Sequence, residues 1–133
     1  MKHKGTVYLY NMAGDRSRMI RLLCVKLGLK VREVSRQEYG MTLGALTGVA
    51  GYAPEPAAYE GEGFDDEMLL MKDFDGPMLN SFLNGFRAMK IAPVALKAVL
   101  TETNCAWDSL KLHAEISAEH AAMTAQNNMK KQE

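Results

Sequence analysis

The sequence predicts an α/β protein of three layers, a four-stranded and mostly parallel sheet of order 2-1-3-4 with helices on both faces. Three observations support this. Short apolar or β-branched runs alternate with stretches of helical periodicity along the 133 residues, the order expected of right-handed crossovers. The first and third runs, 6-TVYLYNM-12 and 67-EMLLMKDF-74, are nearly continuously apolar, as strands covered on both sides are. The second, 30-KVREVS-35, alternates charged residues with valine and suits an edge. A ferredoxin-like α+β arrangement shares both βαβ units and is the alternative, but its helices cover one face only.

The elements follow in order. The first strand leaves through 13-AGD-15, and Asp15 is the expected cap of a helix over about 16–27. Met19, Ile20, Leu23, Cys24 and Leu27 form its apolar stripe, and Gly28 suits the left-handed residue that ends it. Residues 36–66 read as an irregular excursion. A helical turn around 41-MTLGAL-46 fits there, while seven glycines and prolines, Gly44, Gly48, Gly51, Pro54, Pro56, Gly61 and Gly63, break anything longer. Tyr39, Tyr52, Tyr59 and Phe64 predict that it packs onto the protein, since disordered linkers seldom carry four aromatics. After the third strand Asp75, Gly76 and Pro77 open a helix whose stripe is Met78, Leu79, Phe82, Leu83, Phe86 and Met89. The fourth strand is 95-ALKAVLT-101. A last helix runs from about Cys105 to Met123 with Trp107, Leu110, Ala114 and Ala121 inward, and the chain is expected to fray from about 124.

Composition bounds the function classes. With 47% hydrophobic and 24% charged residues, 1–133 holds enough apolar material for a single domain with one core. The formal charge is zero, so neither nucleic acid nor an anionic membrane is an expected partner. A second copy of the chain or another protein is left as the candidate partner. The charge is unevenly spread: residues 1–38 hold nine Lys/Arg against three Asp/Glu, and the remainder seven against thirteen. Two complementary halves that attract each other account for this, and Arg16, Arg18, Arg21 and Lys26 read as a solvated helix face before a basic patch. Cys24 and Cys105 lack CxxC spacing and lie in apolar helical contexts, as buried free thiols do. No apolar stretch follows MKHKG long enough for a signal peptide, and none approaches ~18 residues, so a cytoplasmic location is expected.

Motifs for chemistry are scarce. The sequence has no GxGxxG after the first strand and no GxxxxGK[ST], GxSxG or HExxH, so no cofactor, catalytic residue or metal ligand set is assigned. His113 and His120 stand seven apart, too far to share a metal unaided, and His3 lies at the start. The acidic run 60-EGEGFDDE-67 lacks the alternating ligands of a calcium loop and reads as a solvated loop. In a parallel sheet of this order, ligands bind beyond the carboxyl ends where the order reverses. Asn11, Arg16, Asp73, Thr101 and Asn104 are the ligand-binding candidates on that ground, with Asp15 and Asp75 nearby. The group resembles a response-regulator receiver site in which Asn11 replaces the acidic pair and the fifth strand with its lysine is missing, which argues against phosphoacceptor function. For 101-TETN-104 ordinary helix capping by Thr103 or Asn104 is the preferred reading, because Glu102 opposes an anion there. Lys97 in the fourth strand is read as an edge guard, with a carboxylate-paired site lysine as the alternative.

Through 7-VYLYN-11, 27-LGLKVREVS-35, 59-YEGEGFDDEMLLM-71 and above all 96-LKAVLTETNCAW-107, the chain resembles a family of small bacterial proteins known only as a domain of unknown function. The resemblance implies a bacterial cytosolic origin and a shared fold, and transfers no site. The expected function is that of a non-catalytic regulatory or binding module. The alternative is a phosphate-ligand binder or enzyme using the loops after strands one, three and four.

Overall fold

The computed structural model describes residues 5–52 and 58–132, so the expectations placed on His3, Pro54 and Pro56 lie outside the described residues. Strand β1 (Thr6–Tyr10) leads to helix α1 (Gly14–Leu27) and edge strand β2 (Lys30–Glu33). A 3-10 turn at Arg36–Glu38 and the short helix α2 (Leu43–Thr47) lie in the excursion. Strand β3 (Met68–Lys72), helix α3 (Gly76–Ala88), strand β4 (Leu96–Val99), a 3-10 turn at Asn104–Ala106 and helix α4 (Ser109–Gln132) complete the order.

The strands form one sheet of order β2-β1-β3-β4. Two of its three neighbour pairs, β1 with β2 and β3 with β4, are parallel. The central pair is antiparallel, with Thr6 opposite Lys72 and Tyr10 opposite Met68. The sheet is therefore two βαβ units joined back to back along a β1/β3 seam. Units of like hand that run in opposite directions away from a seam bring their crossover helices to the same face. On that face Val7, Leu9, Leu69 and Met71 pack with Ile20, Leu23, Phe82 and Phe86 of α1 and α3. The opposite face carries Tyr8, Tyr10, Met68, Leu70 and Leu96, covered by Leu43 and Leu46 of α2, Phe64, and Leu112 of α4. Helices thus lie on both faces, and the one-sided ferredoxin-like alternative is set aside. Both faces of β1 and β3 are buried, which is why those strands read as unbroken apolar runs.

Local chemistry explains most boundaries. Gly28 closes α1 in the left-handed conformation (φ 74°). Asp75 caps α3 by accepting the Met78 N–H at 2.8 Å, with Pro77 in the first turn. Gly85 lets α3 approach α1, since a Cβ there would stand 2.4 Å from Leu23 Cδ1. Two expectations change. Asp15 does not cap α1: left-handed backbone at Asn11 (φ 58°) and Gly14 (φ 70°) brings the chain into the helix earlier, with Ala13 at the cap position. Asp15 then lies in the first turn and pairs with Arg18 at 3.1 Å. The last helix starts at Ser109 rather than near Cys105, and its cap is Asp108, which accepts the Lys111 N–H at 2.8 Å. Trp107 and Leu110 pack on the core as expected, with Leu112 and Ile116 beside them and Ser109 buried, while Ala114 and Ala121 are exposed. Ser109 is fully buried and shares a 2.7 Å hydrogen bond with the Tyr10 hydroxyl.

Candidate functional site

The five ligand-binding candidates from the sequence do not meet at one place. Because β1 and β3 run antiparallel, Asn11 lies at one end of the sheet and Asp73, Thr101 and Asn104 at the other. The five residues of β3 lie between the two groups, and the six steps from Glu67 to Asp73 span roughly 20 Å at ~3.3 Å per residue. The expectation of a shared switch point assumed parallel central strands, and the seam removes it.

Four of the five are also engaged in structure. Asn11 donates to the carbonyls of Phe64 and Asp66, each at 2.9 Å, and accepts from the Tyr39 hydroxyl at 3.3 Å, so it fastens the excursion to the end of β1. Arg16 pairs with Glu67 and donates to the carbonyls of Ala92 and Pro93. Thr101 and Asn104 close a reciprocal turn: Asn104 Oδ1 accepts the Thr101 N–H at 2.8 Å, and Thr101 Oγ1 accepts the Asn104 N–H at 3.1 Å. Asn104 also donates Nδ2 to the Val99 carbonyl at 3.1 Å. The TETN segment is thus a capped turn, but its Asn104 satisfies backbone upstream instead of capping α4. Asp73 is exposed in a left-handed conformation (φ 61°).

The uneven charge has the same outcome. Cations of the first third meet the acidic run, Arg16 on Glu67 and Arg36 on Asp65 at 2.8 Å, while Asp66 takes His113 of α4 at 2.9 Å. Arg21 pairs with Glu33 at 3.3 Å. His113 stacks on Phe64 with centroids 4.0 Å apart and planes 2° from parallel, and Phe64 stacks on Tyr39 at 4.6 Å. These aromatic and charged contacts hold the excursion on the α4 face.

Several recesses open at the surface, among them one of about 440 Å³ beside Asn11, lined by Leu9, Met12, Glu33, Val34 and Ser35. Another, a groove of about 330 Å³, lies beside the start of β4 against α3, with Leu83, Phe86, Ile91, Pro93 and Val94 as apolar lining and Arg87 and Lys97 as cations. Leu83, expected in the core stripe of α3, is 37% exposed and faces this groove. Lys97 is half-buried and donates Nζ to the Val94 carbonyl at 2.6 Å. Burial holds its ammonium below the usual lysine range. No carboxylate pairs with Lys97 or Arg87 among the described residues, and Asp73 is not a partner. A second recess of about 440 Å³ shares Pro93, Val94 and Lys97 and is bounded by Ile116, Glu119, His120 and Met123 of α4. The lysine therefore stands between two hollows on the open edge. Sequence reasoning noticed Lys97 but missed the groove, whose one legible sign was a Leu83 one position beyond the Phe82–Phe86 stripe. No group of three or more His, Cys, Asp or Glu among the described residues is arranged to hold a metal ion.

In class, then, the chain is a three-layer α/β protein with a four-stranded mixed sheet and a cationic, apolar groove at one edge. Residues 67–123 match the family model described as a domain of unknown function (DUF3783). The match takes in β3, α3, β4 and the packed part of α4, and with them every residue lining the groove. It includes 96-LKAVLTETNCAW-107, whereas 7-VYLYN-11 and 27-LGLKVREVS-35 precede it. No curated protein and no solved structure matches the chain. Among the described residues no helix is long and apolar enough to cross a membrane.

Proposed function

We propose that the chain is a small, non-catalytic, bacterial cytoplasmic binding module that takes its ligand in the groove beside β4. The observation that carries this is the half-buried Lys97 ammonium, which lines an open apolar groove and has a main-chain carbonyl as its hydrogen-bond partner. Taking a charge out of water is unfavourable without a counter-charge, so such a group favours a ligand that supplies one. A cytoplasmic setting suits the free, buried thiols of Cys24 and Cys105. The partner is a small molecule or a second protein. The groove's size falls in the range of small-ligand sites, about 300 to 1,000 Å³.

The test is a ligand screen on nitrogen-15-labelled protein, read by amide shifts together with melting temperature. A ligand at 100 times its dissociation constant adds ~2.7 kcal/mol of stability. The expected hits move Leu83, Phe86, Val94 and Lys97. Hits among nucleotides or phosphosugars that instead move Asn11 and Arg16, or Asp73 and Thr101, would replace this reading with the phosphate-ligand one.

A further inference from the structure

We infer that the ligand of the β4 groove is an amphipathic monoanion, a carboxylate on a short apolar body, with its head between Arg87 and Lys97 and its body on Leu83, Phe86 and Ile91. This rests on the binding-module reading and narrows it to a ligand class. Phe86 and Ile91 are buried side chains that form the floor, and exposed Leu83 forms one wall. Such a floor has nothing to offer a sugar or a nucleobase, whose polar atoms would go unpaired there. The polar groups of the lining are cationic: Arg87 comes from the last turn of α3 and Lys97 from β4. Neither meets a carboxylate among the described residues, although Glu119 lines the neighbouring recess that shares Lys97. An arginine at the rim offers the planar fork that a carboxylate accepts, and a half-buried lysine has less hydration to lose on meeting a single negative charge than an exposed one. Size sets the body: at ~30 Å³ for each water-sized unit of liquid volume, the groove holds about ten non-hydrogen atoms.

The edge itself argues for a small ligand over an added strand. The carbonyl at the end of β4, that of Val99, is already occupied by Asn104, and the carbonyl of Val94, two residues before the strand, by Lys97. A segment pairing along β4 would compete with the Asn104 bond at the strand's end.

Octanoate, octan-1-ol and inorganic phosphate are titrated separately into the nitrogen-15-labelled chain. Octanoate is expected to saturate shifts at Leu83, Phe86, Val94 and Lys97, to bind about tenfold or more tightly than octan-1-ol, and phosphate alone is expected to leave the floor unmoved. Lys97→Gln and the surface change Arg87→Gln should each weaken octanoate about tenfold and leave the alcohol's affinity unchanged, with circular dichroism confirming the fold. Equal binding of alcohol and carboxylate, or an effect of the two variants on both alike, overturns the anion assignment while leaving the groove a binding site. Groove shifts from other members of the screen but none from octanoate also sink the class alone. Silence of the groove toward every compound removes the binding-module reading itself.

Discussion

Arg16 in the first turn of α1 is ion-paired with Glu67 just before β3, and its other nitrogens reach the carbonyls of Ala92 and Pro93 on the approach to β4. One guanidinium thereby joins the two βαβ units across the seam. Its side chain is 25% exposed, so the bonds are only partly screened. Arg16→Met should lower the unfolding free energy by roughly 1.5 to 3 kcal/mol, as bonds from a charged donor typically do. Arg16→Lys should recover less than half, because an ammonium cannot span three acceptors as a planar fork does. Urea denaturation with an unchanged slope checks both.

The same face gives a second prediction through Gly85. Alanine is a better helix former than glycine by ~1 kcal/mol, so propensity alone predicts that Gly85→Ala stabilises. Overpacking opposes it: the new methyl would fall 2.4 Å and 2.9 Å from the two methyls of Leu23 and 3.2 Å from its Cγ, and Leu23 is buried in the core. Crowding of this kind costs about 1 to 3 kcal/mol. A net loss of stability is expected, and in a Leu23→Ala background the same glycine change should turn neutral or favourable. A double-mutant cycle measures the coupling.

The edge-guard expectation for Lys97 predicts opposite outcomes for two residues of this region. Lys97→Val removes a charge that has no carboxylate partner among the described residues, and valine suits a strand better, so monomer stability should hold or rise. Self-association in light scattering should increase as the edge loses its charge. Asn104→Ala instead removes two part-buried hydrogen bonds, to the Thr101 N–H and the Val99 carbonyl, and should cost about 1 to 3 kcal/mol at roughly 0.5 to 1.5 kcal/mol each. A Lys97→Val monomer destabilised as strongly as Asn104→Ala would disprove the guard role.

Alkaline pH gives a fourth. Burial pushes the Cys24 thiol up from 9.0 to about 12, with nearby Arg21 acting weakly the other way. The raised value belongs to the folded chain, so the unfolded chain loses this proton first. The corresponding stability is whole below about pH 9 and is lost as pH climbs toward 12. Cys24→Ala should therefore flatten part of the fall in urea midpoint between about pH 9 and 11. Buried Tyr8, Tyr10 and Tyr39, whose phenols are also pushed up by desolvation, supply the remaining slope. Iodoacetamide should label Cys24 only as fast as the protein unfolds.

Much of this fold was legible because burial on two faces leaves a compositional trace. The apolar runs at Val7–Tyr10 and Met68–Met71 and the charge alternation at Lys30–Glu33 lead to the strand order directly. The direction of the central pair leaves no such trace, since alternation of side chains is the same in parallel and antiparallel neighbours. That single unreadable choice separated Asn11 and Arg16 from Asp73, Thr101 and Asn104. The groove was hidden for a different reason. Leu83 and Phe86 carry the same residue type of signal whether they meet another helix or solvent, and only the position of β4 at the edge decides which.

The back-to-back sheet also sets how the chain can assemble in time. Each parallel pair closes over a short span, Thr6 meeting Lys30 and Met68 meeting Leu96, with its own helix in between. The seam joins Thr6 to Lys72 and Tyr10 to Met68 across the whole excursion. Closing the longer loop costs more chain entropy, and the aromatic contacts that offset it, Tyr39 and Phe64 against Tyr10, form only once the excursion has folded over β1. If closing the seam limits refolding, shortening the excursion is expected to speed folding, while changes inside either half mainly alter how fast the native chain comes apart.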